Sequence, residues 1–168
     1  MFFYKPISKT FISSQALKES MKEVYIGADH AGFELKEHLK VYLKKQGYDV
    51  YDEGAFQLDR HDDYPDFGFK VAKSVAHNLD GFGILCCGSA QGMCIVANKV
   101  KGIRAVSVTD EKEAMITRTH NNANILCLAG WKISKKEAEK VVNVFLTTHF
   151  SNLPRHVRRL KKITKIEG

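Results

Sequence analysis

Five short apolar runs alternate with amphipathic stretches along this chain, and that alternation restricts the fold more than any other feature. Val24–Gly27, Tyr48–Tyr51, Phe82–Cys86, Ile103–Val108 and Ile125–Ala129 read as strands. Helices are expected over Phe33–Gln46, from an Asp66 cap to Asn78, over Met93–Val100, and from an Asp110 cap to about Thr119. A fifth starts at Ser134, where Glu137 completes a capping box, and ends near Phe150. Pro154 opens a further, basic helix through about Ile163. Strand–helix alternation of this kind implies an α/β fold, a parallel sheet wound doubly with helices on both faces.

One connection carries chemistry. The run Phe82–Cys86 is bounded by glycines and gives way to Cys87-Gly88-Ser89-Ala90-Gln91-Gly92 before the next helix begins. A small-residue loop between strand and helix can aim several N–H groups at one point and so hold an anion. Cys87 and Ser89 place a thiol and a hydroxyl beside it. The same residues also suit a plain turn with a buried thiol. The spacing is neither that of a P-loop nor that of a dinucleotide fingerprint.

At 168 residues the chain is long enough for one core. Residues 1–20 contain Glu19 as their only acid and are unlike the rest, so they are expected to form a weakly ordered extension ahead of a single domain, residues 21–168. No apolar run approaches the ~18 residues of a membrane span. The cysteines Cys86, Cys87, Cys94 and Cys127 match no zinc spacing and lie mostly in apolar runs, which points to free thiols in a reducing, cytoplasmic compartment. The net charge of +7 raises nucleic acid as a partner. However, Lys36–Lys45 reads as a solvated helix face, and no aromatics interleave with the C-terminal cations to stack bases. An anionic small molecule explains the charge as well.

Ligands of an open parallel sheet bind beyond the carboxyl ends of its strands. Asp29 and His30 follow the first strand and suit either a polar turn or a ligand contact. Asp62-Asp63 reads as loop solvation, and Tyr64 as packing or substrate contact. His120 and Asn121 precede the fifth strand, at the far end of the sheet from Cys87. Acting with Cys87 would require a second subunit. Arg155 and Arg159, one helical turn apart, share a face that is either solvated or a phosphate clamp.

Taken together, Gly27-Ala28-Asp29-His30-Ala31-Gly32-Phe33, Asp63-Tyr64-Pro65, Cys87-Gly88-Ser89 with Gly92, Ala97-Asn98-Lys99 with Gly102-Ile103-Arg104-Ala105, His120-Asn121-Asn122-Ala123-Asn124, and Arg155-His156 with Arg159 resemble the type B ribose-5-phosphate isomerases, a family that includes galactose-6-phosphate isomerase subunits. The resemblance implies a Rossmann-like fold and an aldose–ketose isomerase of the pentose phosphate pathway. It also implies homodimers or tetramers with shared active sites and no metal or organic cofactor. In that scheme Cys87 is the base, Ser89 assists proton movement and His120 opens the sugar ring. Backbone N–H groups of Gly88, Ala90, Gln91 and Gly92 hold the enediolate. His30, Arg155 and Arg159 bind phosphate, and Asp29, Tyr64 and Asn121 orient the sugar.

Several positions depart from the family pattern. Ser89 stands where many members have Thr, Ala90 where many have Gly, Trp131 where an Arg often contacts phosphate, and Met93 where some carry a Glu base. The alternatives are a six-carbon phosphosugar isomerase of the allose 6-phosphate kind and a non-catalytic phosphosugar or nucleic-acid binding module.

Overall fold

A computed structural model describes residues 22–168; the expected extension, residues 1–20, lies outside them. The described elements are β1 (Glu23–Ala28), α1 (Phe33–Lys45), β2 (Asp49–Asp52), α2 (Tyr64–His77), β3 (Phe82–Cys87), α3 (Gln91–Ala97), β4 (Ala105–Ser107), α4 (Glu111–Asn121), β5 (Ile125–Ala129), α5 (Lys135–Thr147) and α6 (Pro154–Ile166). All pairings are parallel, and the strand order is β2-β1-β3-β5-β4. The order reverses between β1 and β3, so the crevice at the switch point opens beyond Ala28 and Cys87, which end these neighbouring strands.

Side chains alternate between the two faces of the sheet. Ile84 and Cys86 pack with Leu39 of α1 and Phe145 of α5, whereas Leu85 and Cys87 pack with Val71 of α2 and Met93 of α3. Helices on both faces leave every residue of β3 buried, which is why its sequence is continuously apolar rather than alternating.

Several expected boundaries move. Asp63, not Asp66, precedes α2, because Pro65 fits the first turn with its fixed φ; Asp66 lies inside that turn. The helix after β3 begins at Gln91 and ends at Ala97, earlier at both ends than expected. His120 and Asn121 form the last turn of α4 rather than a link. Asn122 ends that helix in the left-handed region (φ 46°), its N–H bonding the carbonyls of Arg118 and Thr117. β4 is an edge strand and is short. Asn98 partners it instead: its Oδ1 accepts from the Ala105 N–H (2.9 Å) and its Nδ2 donates to the Ala105 carbonyl (2.8 Å). The Ser134–Glu137 capping box forms as expected.

Among the described residues two cationic side chains are buried. Lys36, expected on a solvated face, is 0% exposed. It donates to Asp52 Oδ1 (2.9 Å) and to the Ala55 carbonyl (2.5 Å). Burial alone would raise the Asp52 carboxyl, but Lys36, Lys40 and the Gly54 N–H together hold it below its ordinary value. Arg118 lies over the rings of Phe82 and Phe145 and donates to the Thr148 and Ala123 carbonyls. Burial, with Arg104 nearby, brings its guanidinium down to about 10.

Candidate active site: two half-sites at opposite ends of the sheet

The first half-site lies beyond β1 and β3. Gly32 is packed so closely against β3 that a Cβ there would sit 2.1 Å from the Cys86 carbonyl oxygen and 2.6 Å from the Cys87 nitrogen. Asp29, itself buried, accepts the Gly32 N–H on Oδ1 (3.0 Å), which locks the turn after β1. Burial raises the Asp29 carboxyl, partly countered by the Gly32 N–H and by His30. The adjoining loop is pinned to the end of β1, because Ala28 donates to the Gly54 carbonyl and Ala55 to that of Ala28, each at 2.8 Å.

Cys87 ends β3 with its sulfur turned back over its own loop. The Ala90 N–H reaches Sγ at 3.2 Å. A thiol at this strand–helix junction is expected to have a lowered pKa. The structure reverses that expectation. Burial pushes the Cys87 thiol up and the nearby Asp29 carboxylate adds to it; the N–H groups of Met93, Ala90 and Ser89 pull the other way and are outweighed. Ser89 is exposed at the tip of the loop, next to the exposed Gln91.

Ala90 adopts φ 68°, the left-handed conformation. For an L-residue this costs about 1 kcal/mol. Its methyl is fully buried, which recovers roughly 0.8 kcal/mol. The two nearly cancel, so Ala90→Gly is expected to change stability by less than ~1 kcal/mol. Chemical denaturation would show this, and a gain of ~2 kcal/mol would mean that the strain is not offset.

Two aromatic rings close on the loop. The Trp131 indole covers Gly88 and the Tyr64 ring covers Gly92; a Cβ at either glycine would lie 2.5 Å and 2.7 Å from those rings. Trp131 is nevertheless 74% exposed, so one face of the indole is open beside the loop. His30, Arg60 and Lys135 line an adjoining cleft of about 680 Å3, together with Glu34.

The second half-site lies at the other end of the sheet. β4 runs toward the Cys87 end and α4 returns, leaving His120 and Asn121 near the start of β5. There Ile125 pairs with Gly83, whereas Cys87 pairs with Ala129. At ~3.3 Å per residue that separates the ends by about 13 Å. His120 lies against His156 of α6, with ring centroids 4.3 Å apart and the ring planes tilted by 40°. Burial, and then the facing His120, Arg155 and Arg159, hold His156 below its ordinary value. The neutral ring accepts from Arg155 Nε on its Nε2 (3.2 Å) and meets Ser151 Oγ through Nδ1 (2.7 Å). This tethers Arg155 beside His120. Arg159 follows one turn later and is exposed.

Thus Asp29, His30, Tyr64, Cys87 and the loop from Gly88 to Gly92 gather at one end, and His120, Asn121, Arg155 and Arg159 at the other. Sequence reasoning missed Asp62. Instead of being solvated, its carboxylate is largely buried and bonds His30 (Oδ1 to Nδ1, 2.7 Å). The missed signal was an acid in a polar loop destined for the end of β1, which local sequence does not reveal. Among the described residues no three His, Cys, Asp or Glu side chains converge as metal ligands, and no helix is long and apolar enough to cross a membrane.

Comparison with known proteins identifies the family. A family profile described as Ribose/Galactose Isomerase matches residues 24–163. The chain is 43% identical over 145 residues to the probable ribose-5-phosphate isomerase B of Mycoplasma genitalium, covering 86% of this chain and 95% of that one. It is 36% identical over 147 residues to ribose-5-phosphate isomerase B of Escherichia coli, covering 88% and 97%. The crystal structure of the Mycoplasma genitalium enzyme, with bound ribulose-5-phosphate, superposes with a TM-score of 0.83 at 43% identity over 86% of this chain and 95% of that one. The type B enzyme of Trypanosoma brucei superposes with a TM-score of 0.83 at 39% identity over 87% and 99%. The matched span takes in the whole parallel sheet and both half-sites, and by that measure the chain belongs to the ribose/galactose isomerase family.

Proposed function

We propose that this protein interconverts ribose 5-phosphate and ribulose 5-phosphate through a cis-enediolate, with Cys87 as the base. The observation that carries the reading is the position of Cys87 at the switch point, its sulfur facing the N–H groups of Ser89, Ala90 and Met93. A relative with 43% identity holds ribulose-5-phosphate in its crystal structure.

The Cys87 thiolate takes the proton from C2 of the open-chain aldose. The C2–H electron pair becomes the C1=C2 double bond, and the C1 oxygen takes the negative charge. Loop N–H groups from Gly88 to Gly92 face that charge. A preorganised donor of this type is worth about 3–4 kcal/mol. The Ser89 hydroxyl passes the O2 proton toward O1, and Cys87 returns its proton to C1, leaving the C2 ketone. Asp29 and Tyr64 orient the sugar. The second half-site comes from another subunit: His120 moves the proton that opens the ring, Asn121 holds the sugar hydroxyls, and Arg155 with Arg159 grips the phosphate together with His30 of the first half-site. Support for the second subunit lies in the separation of the half-sites and in the exposed apolar side chains Phe69, Ile95, Met115 and Ile116.

The test is isomerisation of ribose 5-phosphate in the presence of EDTA. Turnover is expected; none would overturn the reading. Trp131 favours one comparison, kcat/KM for ribose 5-phosphate against allose 6-phosphate, because an indole lies beside Gly88 at a position where the family it resembles often has an Arg. The pH profile has a definite sign. Because the Cys87 thiol is raised, thiolate is the minor form at neutral pH. At saturating substrate, kcat should climb about tenfold per pH unit until the thiol ionises, with its plateau above the ordinary thiol range. A kcat that is flat from neutral pH upward would mean that the thiol is not raised in the working enzyme.

A further inference from the structure

His30 follows β1 with its ring 38% exposed, and Asp62 lies against it with a side chain only 7% exposed. One oxygen, Asp62 Oδ1, accepts the His30 backbone N–H at 3.1 Å and lies 2.7 Å from its Nδ1. Two contacts from one residue to one oxygen fix the ring's rotation: a carboxylate only accepts, so Nδ1–H donates to it, and Nε2 is turned away from Asp62. The loop is held as well, since the Asp62 N–H bonds the Asp59 carbonyl (3.2 Å). Asp62 Oδ2 is buried and meets no protein donor among the described residues. His30 is therefore the group that balances this carboxylate. A solvating loop acid would point outward and would leave the imidazole free to rotate.

We propose that Asp62 is the positioning residue for His30, holding its imidazole as a cation with Nε2–H presented to the phosphate monoester of the substrate. This rests on reading His30 as a phosphate contact in the isomerase proposed above. The charged groups around the ring are Asp29 from its own turn, Asp62 and Arg60 from the loop before α2, and Glu34 of α1 and Lys135 of α5 across the cleft. The Asp62 hydrogen bond comes first among the influences. With the Asp62 and Asp29 charges it outweighs desolvation and Arg60 and raises the His30 imidazole above its ordinary value. The cation therefore persists toward higher pH and is lost as pH rises through the raised pKa. At that point Nε2 changes from a donor to a lone pair that repels phosphate. Arg60 and Lys135 line the same cleft, but His30 is the cation there whose ring direction a buried carboxylate fixes.

The experiment compares Asp62→Asn with the wild type, alone and in a His30→Ala background. Asparagine is isosteric and retains an oxygen for both His30 contacts, so the loop keeps its shape. Asp62→Asn is expected to raise both KM for ribose 5-phosphate and the inhibition constant of inorganic phosphate about tenfold, the loss of one charge-assisted bond. The loss should fall on KM rather than kcat. The His30 Cε1–H NMR titration should move to lower pH. In the His30→Ala background the same change should have less than about a twofold further effect. An unchanged titration, or an equal KM effect without His30, overturns the proposal. Should Asp62→Asn unfold, the wild-type KM profile serves: KM must rise as His30 deprotonates, and His30→Asn must abolish that rise. The NMR titration and phosphate binding need no turnover. A chain inactive on ribose 5-phosphate would refute the proposed reaction while leaving the Asp62 test standing.

Discussion

Replacing Cys87 with alanine is expected to lower kcat for ribose 5-phosphate by about 1,000-fold, within the range that a positioned general base contributes. KM should change by no more than about threefold, because the phosphate and hydroxyl contacts lie on other residues. Cys87→Ser should be nearly as damaging, since a serine hydroxyl ionises far less readily than a thiol. Burial makes the thiolate scarcer and also makes it a stronger base toward a carbon acid. The two effects partly offset, which is why a raised thiol remains compatible with this chemistry. Steady-state kinetics of the purified variants decide the matter. An alanine variant within about tenfold of wild type would remove Cys87 from the base role and turn attention to Asp29, a raised carboxyl at the switch point.

Gly32→Ala is expected to have the largest effect on the fold. Its methyl would meet the Cys86 carbonyl oxygen at 2.1 Å, its carbon at 2.2 Å and the Cys87 nitrogen at 2.6 Å. These are backbone atoms of a central strand, so no side chain can yield. Overpacking against mobile side chains costs about 1–3 kcal/mol, and here the upper end or more is expected. For a chain of this size that is roughly a 10 °C fall in Tm. Activity should fall further than stability accounts for, because relieving the clash moves Cys87 and disturbs the N–H that Gly32 gives Asp29. Thermal melts with kcat measured well below Tm separate the two effects. A variant with wild-type Tm would show that β1 and β3 can spread at no cost, which the close pairing of Ala28 with Cys86 argues against.

Both predictions concern residues that were visible in the sequence, but for different reasons. Cys87 stood out because a buried strand followed by small residues is a local pattern. Gly32 belonged to a motif whose need for glycine appears only when the turn after β1 meets β3. The strands, most of the helices and the parallel order followed from alternation, because each element must bury an apolar face and period alone distinguishes the two kinds. Boundaries moved where local rules competed. Pro65 took the start of α2 from Asp66, and Asn122 extended α4 through His120.

Sequence by itself determined the α/β class, the switch-point loop and the separation of Cys87 from His120. These depend on chain order and side-chain periodicity, which are properties of the line of residues. Only the tertiary structure decided the charges. It buried Lys36 against Asp52, set Asp62 behind His30 and raised the Cys87 thiol. A side chain's charge state depends on which distant groups fold against it and how much water they displace. Asp62 and His30 are 32 positions apart in the chain, so their pairing exists only once the loop after β2 closes over the end of β1.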